Sequence, residues 1–345
     1  MSVSMRYFKW AFAMTAVGLA LAFWLGWNFF GTFSGGLSFL VICGVLAVLE
    51  VSLSFDNAIV NANKLKDMDP VWQRRFLTWG IVIAVFGMRV LFPLLVVVIA
   101  ARIGPIAAIH LAAVDPHEYG RIMDEASLSI SAFGGTFLMM VALNYFFDEG
   151  KEVDWIRTLE CQMRRCASIR GLEIAMVLGI VLAFSSAMPP PDALDFIVAA
   201  IGGLLAFTAI ETISHALDSS RNAGMALKGG LGAFLYLEVL DASFSFDGMI
   251  GAFALTQNLF LIAIGLGIGA MFVRSMTIML VEKQTLSEFR YLEHGAFYSI
   301  LALSIIMFAQ SLVHIPEMLT GLIGAGLIAV ALWSSIRYKR RVERA

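Results

Sequence analysis

Apolar runs of about twenty residues, parted by short polar breaks, recur along the whole chain, and a helix of that length spans the ~30 Å hydrocarbon core of a bilayer. Set against the breaks, the runs predict ten membrane-spanning helices, near residues 10–30, 37–61, 77–101, 127–147, 171–188, 193–216, 229–255, 259–281, 294–313 and 317–336. The expected fold is all-α, a polytopic membrane protein. Arg6 and Lys9 precede the first run as in a signal peptide, but the run is too long and no small-x-small site closes it, so it reads as the first span. Two stretches break the pattern, because each puts carboxylates inside an apolar run: Glu50-Val-Ser-Leu-Ser54-Phe55-Asp56-Asn57 and Asp241-Ala-Ser-Phe-Ser245-Phe246-Asp247-Gly248.

Composition agrees with the pattern: 59% of the 345 residues are hydrophobic, 14% are charged, and the mean hydropathy is +0.83. A formal net charge of −2 says little, whereas the placement of charge says much. With the N-terminus inside, 20 of the 24 Lys and Arg residues fall in cytoplasmic segments, Arg102 and Arg121 fall outside, and Arg89 and Arg274 lie within spans. Such a split follows the positive-inside rule and predicts both termini in the cytoplasm; the membrane expected is a bacterial inner membrane. The partners expected are lipid bilayer and no nucleic acid. Cys43, Cys161 and Cys166 read as free thiols, since no disulfide framework or zinc-ligand spacing is present.

On this count the first motif lies in span 2, running inward, and the second in span 7, running outward. An odd offset is an inverted repeat. Arg89 follows Asp56 by 33 residues in span 3, and Arg274 follows Asp247 by 27 residues in span 8. The chain is therefore expected to be five helices plus five. Residues 1–170 form one repeat, with an amphipathic cytoplasmic segment near 148–170, and residues 171–345 form its inverted partner.

An ionisable group at a helix centre costs ~2.5–3.5 kcal/mol even on a lenient scale, so the buried acids are functional candidates. On an ideal helix Ser54, Asn57 and Asn61 lie within about 40° of Glu50 on one face, while Asp56 points some 120° away. Either Asp56 serves a different partner or the helix departs from ideality. Ser, Asp, Asn and Gly compete for backbone hydrogen bonds, so both motif helices are expected to be discontinuous at Ser-Phe-Asp, freeing carbonyls near the membrane midplane. The expected ligands are Glu50, Ser54, Asp56, Asn57, Glu238, Asp241, Ser245 and Asp247, with Arg89 and Arg274 as counter-ions. All are oxygen donors, a set that suits Mg²⁺, Ca²⁺ or Mn²⁺ rather than Zn²⁺ or Cu(I). No resident cofactor and no enzyme chemistry is expected, because the chain lacks a nucleophile triad, a phosphate loop and a haem motif.

Glu50-x-x-x-Ser54-x-Asp56-Asn57 and Glu238-x-x-Asp241-x-x-Phe244-Ser245-x-Asp247 resemble the paired signatures of the TerC integral membrane proteins, named for tellurite resistance. The resemblance covers the two motif helices and the arginine-bearing helices after them, and extends loosely over most of the chain. It implies efflux of divalent metal, chiefly Mn²⁺, with Glu50, Asp56, Asn57, Glu238, Asp241 and Asp247 at the cation site. Gly248 departs from the hydroxyl expected after that Asp.

The leading expectation is a secondary transporter that exports a divalent metal, Mn²⁺ before Ca²⁺, either with protons as counter-substrate or driven by the membrane potential. A membrane scaffold or stress-response interaction protein, whose buried charges serve packing alone, is a second reading. A carrier of anions or small solutes through Arg89 and Arg274 is a third. Elsewhere, residues 102–126 are expected to be a solvated outer loop, with His110, Asp115, His117, Glu118, Asp124 and Glu125 as an alternative metal-gathering vestibule. Gly265 and Gly269 read as a packing surface.

Overall fold

The computed structural model describes residues 3–66, 68–148, 150, 151, 153–169, 171–219, 230–283, 288–313 and 315–342. These residues form an all-α polytopic membrane protein. Helix α1 (Val3–Phe30) turns back into α2 (Phe33–Leu53) through Gly31 and Thr32. Gly31 takes φ +66, the left-handed conformation that closes a helix, and the Thr32 hydroxyl accepts from the Gly35 N–H to open the next. Then come α3 (Phe55–Lys66), α4 (Pro70–Val82), a π-helical segment Ile83–Leu91, α5 (Phe92–Ala100), α6 (Pro105–Val114) and α7 (Pro116–Phe146). The second part holds α8 (Arg157–Cys166), α9 (Leu172–Ser185), α10 (Pro190–Ser219), α11 (Leu231–Leu255), α12 (Leu259–Glu282), α13 (Leu292–Gln310) and α14 (Glu317–Val342).

Among the described residues, eight helices are long and apolar enough to cross a membrane: Tyr7–Phe30, Phe33–Leu53, Ile83–Ala100, Pro116–Phe146, Pro190–Ile213, Leu259–Glu282, Leu292–Gln310 and Leu319–Arg341. The 25-residue α11 also matches a predicted span, although its three acids lower its hydropathy. The span expected at 171–188 is shorter than its apolar run, because α9 has 14 residues and rises about 21 Å.

Two local expectations need correction. Residues 102–126 are largely helical: α6 occupies the apolar stretch, and Asp115 starts α7 by accepting from the Glu118 N–H, with Pro116 following it. Arg121 pairs with Glu118 and Glu125 on the exposed side of α7, as befits a solvated face. The break expected in both motifs occurs in the first only. Ser54, at φ −100 and ψ 16, separates α2 from α3, whereas α11 runs unbroken through Ser245 and Asp247.

The chain folds into two compact units that interleave in sequence: residues 1–55, 74–127 and 244–279, and residues 56–73, 128–243 and 280–345. Unit 1 is built where the buried stripe of α2, Gly35, Gly36, Phe39, Cys43, Leu46 and Glu50, meets α1 and α12. Gly265 and Gly269 make the approach possible, since a Cβ on Gly265 would stand 2.6 Å from Leu46 Cβ, and one on Gly269 2.4 Å from Glu50 Cβ. This is the small-residue packing by which membrane helices come close. Unit 2 is held by aromatic layers, among them Tyr145 stacked on Phe297 with centroids 3.7 Å apart and Phe308 set edge-on to Phe184 and Phe196. All three cysteines are free thiols, and Cys43 is buried.

Candidate functional site

The division between units passes through both motifs, so the predicted residues fall into two clusters. In unit 1, Glu50 is 2% exposed and lies three residues before the end of α2. Its Oε1 accepts from the Arg89 guanidinium and, at 3.0 Å, from the Ser54 hydroxyl. Arg89, 4% exposed, also donates through Nε to the Leu266 carbonyl at 3.1 Å and through Nη1 to the Ala84 carbonyl five residues back in its own helix. The π-helical segment around Arg89 has the wider turn found often at functional positions in helices. Each nitrogen of Arg89 thus meets a protein acceptor, and the fork that an anion would need is taken up. Gly248 packs on the far side of Glu50: a Cβ there would stand 3.1 Å from Oε2, which accounts for the missing hydroxyl after Asp247.

Ser245 is buried in the same unit, and its Oγ has no hydrogen-bond partner among the described residues. The Asp247 side chain lies outside the described residues. Arg274 donates to the Phe76 carbonyl and stacks on the Phe76 ring at 3.9 Å, a cation–π contact that lets α12 carry a guanidinium inside the bundle.

In unit 2 the short helix α3 is polar on several faces. Asp56 is 4% exposed; its Oδ1 accepts from the Asn57 N–H at 2.8 Å, and its Oδ2 accepts from the Ser299 hydroxyl of α13 at 2.8 Å. Standing in the first turn of α3, it also meets the positive end of the helix dipole. No Lys, Arg or His pairs with Asp56 among the described residues. One turn on, the Asn61 amide donates to Asp241 Oδ1 at 2.7 Å, and Asn63 donates to Glu293 at 2.7 Å. Asn57, Glu238 and Asp241 are all buried. The 120° offset of Asp56 therefore has both of its expected causes: the helix breaks at Ser54, and Asp56 serves a different partner.

Ser299 escaped sequence reading because a serine in an apolar run carries no local signal. Gly324 of α14 admits it, since a Cβ there would stand 2.7 Å from Ser299 Oγ. Among the described residues no three His, Cys, Asp or Glu side chains gather closely enough to hold one metal ion. A bound cation would draw on amide, hydroxyl and carbonyl oxygens beside the carboxylates.

A further polar cluster was read from sequence only as the polar side of an amphipathic segment. Glu160 of α8 is 1% exposed and accepts from Lys151 Nζ at 2.5 Å, from the Tyr298 hydroxyl at 3.1 Å, and from the Trp155 and Ile156 N–H groups at 3.2 and 2.9 Å. His294 Nε2 stands 3.3 Å from Glu160 and 2.8 Å from the Val153 carbonyl. A carbonyl only accepts, so Nε2 bears a proton, and Nδ1 makes a hydrogen bond with the Tyr145 hydroxyl at 3.3 Å. Burial works to raise the Glu160 carboxyl, and hydrogen bonds from His294, the Ile156 N–H and Lys151 outweigh it, holding the group at about 2. The acid ties the segment after α7 to α13.

Residues 55–342 match the family described as Protein of unknown function (DUF475). The chain belongs to that family. No curated protein and no solved structure matches it. The DUF475 match takes in Asp56, Asn57, Arg89, the whole second motif, Arg274 and Ser299, and leaves α1 and the Glu50 helix outside.

Proposed function

We propose that this DUF475 protein is a secondary transporter of a divalent metal cation, Mn²⁺ in first place and Ca²⁺ in second. It works in a bacterial inner membrane with both termini cytoplasmic, and moves the metal outward against protons. The observation that carries the reading is Asp56: a buried carboxylate whose partners are a hydroxyl and a backbone N–H, both neutral. An ionised group so placed calls for a positive charge from outside the protein. A transported cation meets that need reversibly, and the carboxylate, hydroxyl and amide oxygens of Asp56, Ser299 and Asn57 suit Mn²⁺ or Ca²⁺ better than Zn²⁺. The resemblance of both motifs to TerC proteins points the same way.

Glu50 supports a different role for the first acid. Closed on Arg89 and Ser54, it reads as packing within unit 1, the role that a scaffold would give to every buried charge. Metal flux decides between the readings. Purified protein in proteoliposomes should move Mn²⁺, and Asp56→Asn should not; no flux through the wild type sinks the transport assignment, and equal flux through both sinks the role given to Asp56.

A further inference from the structure

We propose that Asn61 is itself a ligand of the transported cation, and that its amide oxygen, together with the Asn57 amide oxygen and the Asp241 carboxylate, selects hard cations. The inference rests on the transport reading above and adds to it a residue outside the expected ligand set. Asn57 and Asn61 stand four positions apart, on one face of α3 in successive turns. Asn57 is 8% exposed and Asn61 2%.

The orientation of the Asn61 amide is determined by its neighbour. Asp241 Oδ1, 2.7 Å away, can only accept while ionised, so Nδ2 must face it and Oδ1 must turn elsewhere. There the oxygen meets nothing: neither Asn61 Oδ1 nor Asn57 Oδ1 has a hydrogen-bond partner among the described residues. Buried amide oxygens normally have one. Two without one, one turn apart and beside a buried carboxylate, are more than packing asks of a helix face that alanine or leucine could fill.

Amide oxygens are hard, neutral donors that serve in the same way as the backbone carbonyls of Ca²⁺ sites. They complete a coordination shell without adding negative charge, which answers the lack of three gathered acids among the described residues. They offer little to Zn²⁺, which prefers nitrogen and sulfur.

The test uses the full chain in phospholipid vesicles, with two readouts: the concentration dependence of Mn²⁺ uptake, and the rise in melting temperature on adding Mn²⁺. Asn61→Leu keeps the shape of the side chain and removes both its oxygen and its donor to Asp241, whereas Asn61→Asp removes the donor and keeps the oxygen, so the two together isolate the oxygen. We expect Asn61→Leu to raise half-saturating Mn²⁺ roughly tenfold or more and to lose the Mn²⁺-dependent melting shift, with Asn61→Asp retaining both responses. A purely structural role would lower the melting temperature without metal and leave half-saturation where it was. Wild-type half-saturation in Asn61→Leu overturns the assignment of Asn61 and leaves the transporter standing, while absence of divalent flux in the wild-type protein overturns both. If Asn61→Leu does not fold, Asn61→Ala removes the same oxygen without the bulk and is read by the same two outcomes.

Discussion

Gly269 lies against Glu50 so closely that a Cβ on the glycine would stand 2.4 Å from Glu50 Cβ and 2.9 Å from the Ala47 carbonyl. The acid is thus enclosed by backbone on one side and by Arg89 on the other. Gly269→Ala must push α12 away from α2, at a cost of about 1–3 kcal/mol. Gly326→Ala, where no atom lies within 4 Å, should be neutral or slightly stabilising. Thermal unfolding of the two variants in detergent checks the contrast.

Removing Arg89 leaves Glu50 charged and buried. Arg89→Ala should lose about 3–5 kcal/mol, and the double change Arg89→Met with Glu50→Leu should recover most of it, because neither charge then needs the other. A double-mutant cycle by denaturant unfolding measures the recovery; strict additivity would deny the pair its packing role.

For Asp56 the expected result is the opposite of that for Arg89. Asp56→Asn keeps one acceptor for the Asn57 N–H, and the Ser299 hydroxyl can turn to accept from the new amide, so stability should fall by less than about 1 kcal/mol. Mn²⁺ flux should fall to background. Expression level and melting temperature, read beside flux, separate lost function from lost fold.

Glu160 predicts an acid limb in stability. Its folded value of about 2 lies below the ordinary 4.5, so the ionised carboxylate stabilises the fold fully above pH ~4.5, and that stability drains away as the pH falls toward 2. The contribution is on the order of 3 kcal/mol. Glu160→Gln should be less stable at neutral pH and show a flatter profile between pH 5 and pH 2. Circular dichroism melts across that window test both parts.

What the sequence disclosed depended on how local each cause was. The gap between the runs at 10–30 and 37–61 declares the α1–α2 turn, and the spacing of Gly265 and Gly269 declares a packing face. The break at Ser54 was legible in Ser-Phe-Asp, yet the same three residue types leave α11 unbroken, so surroundings rather than propensity decide the matter. Ser299 was invisible because its meaning comes from Asp56, 243 residues away. Glu160 looked like a solvated charge for the same reason: Tyr298 and His294, which surround it, belong to a distant helix.

The pairing of Glu50 with Arg89 also has a consequence in time. The chain is made from its N-terminus, and 39 residues separate the acid from its base, so α2 must enter lipid before any counter-charge exists. The glycines that enclose the carboxylate come much later still. Until then Glu50 can reach water only because it sits near the end of its helix, with the Ser54 break just beyond it. A nascent chain arrested near residue 100, with α2 clear of the ribosome and Arg89 still inside it, should therefore hold α2 loosely enough to be extracted by alkali, and one arrested beyond residue 130, with Arg89 clear as well, should hold it firmly. In this protein the order of synthesis is part of how a buried charge is accommodated.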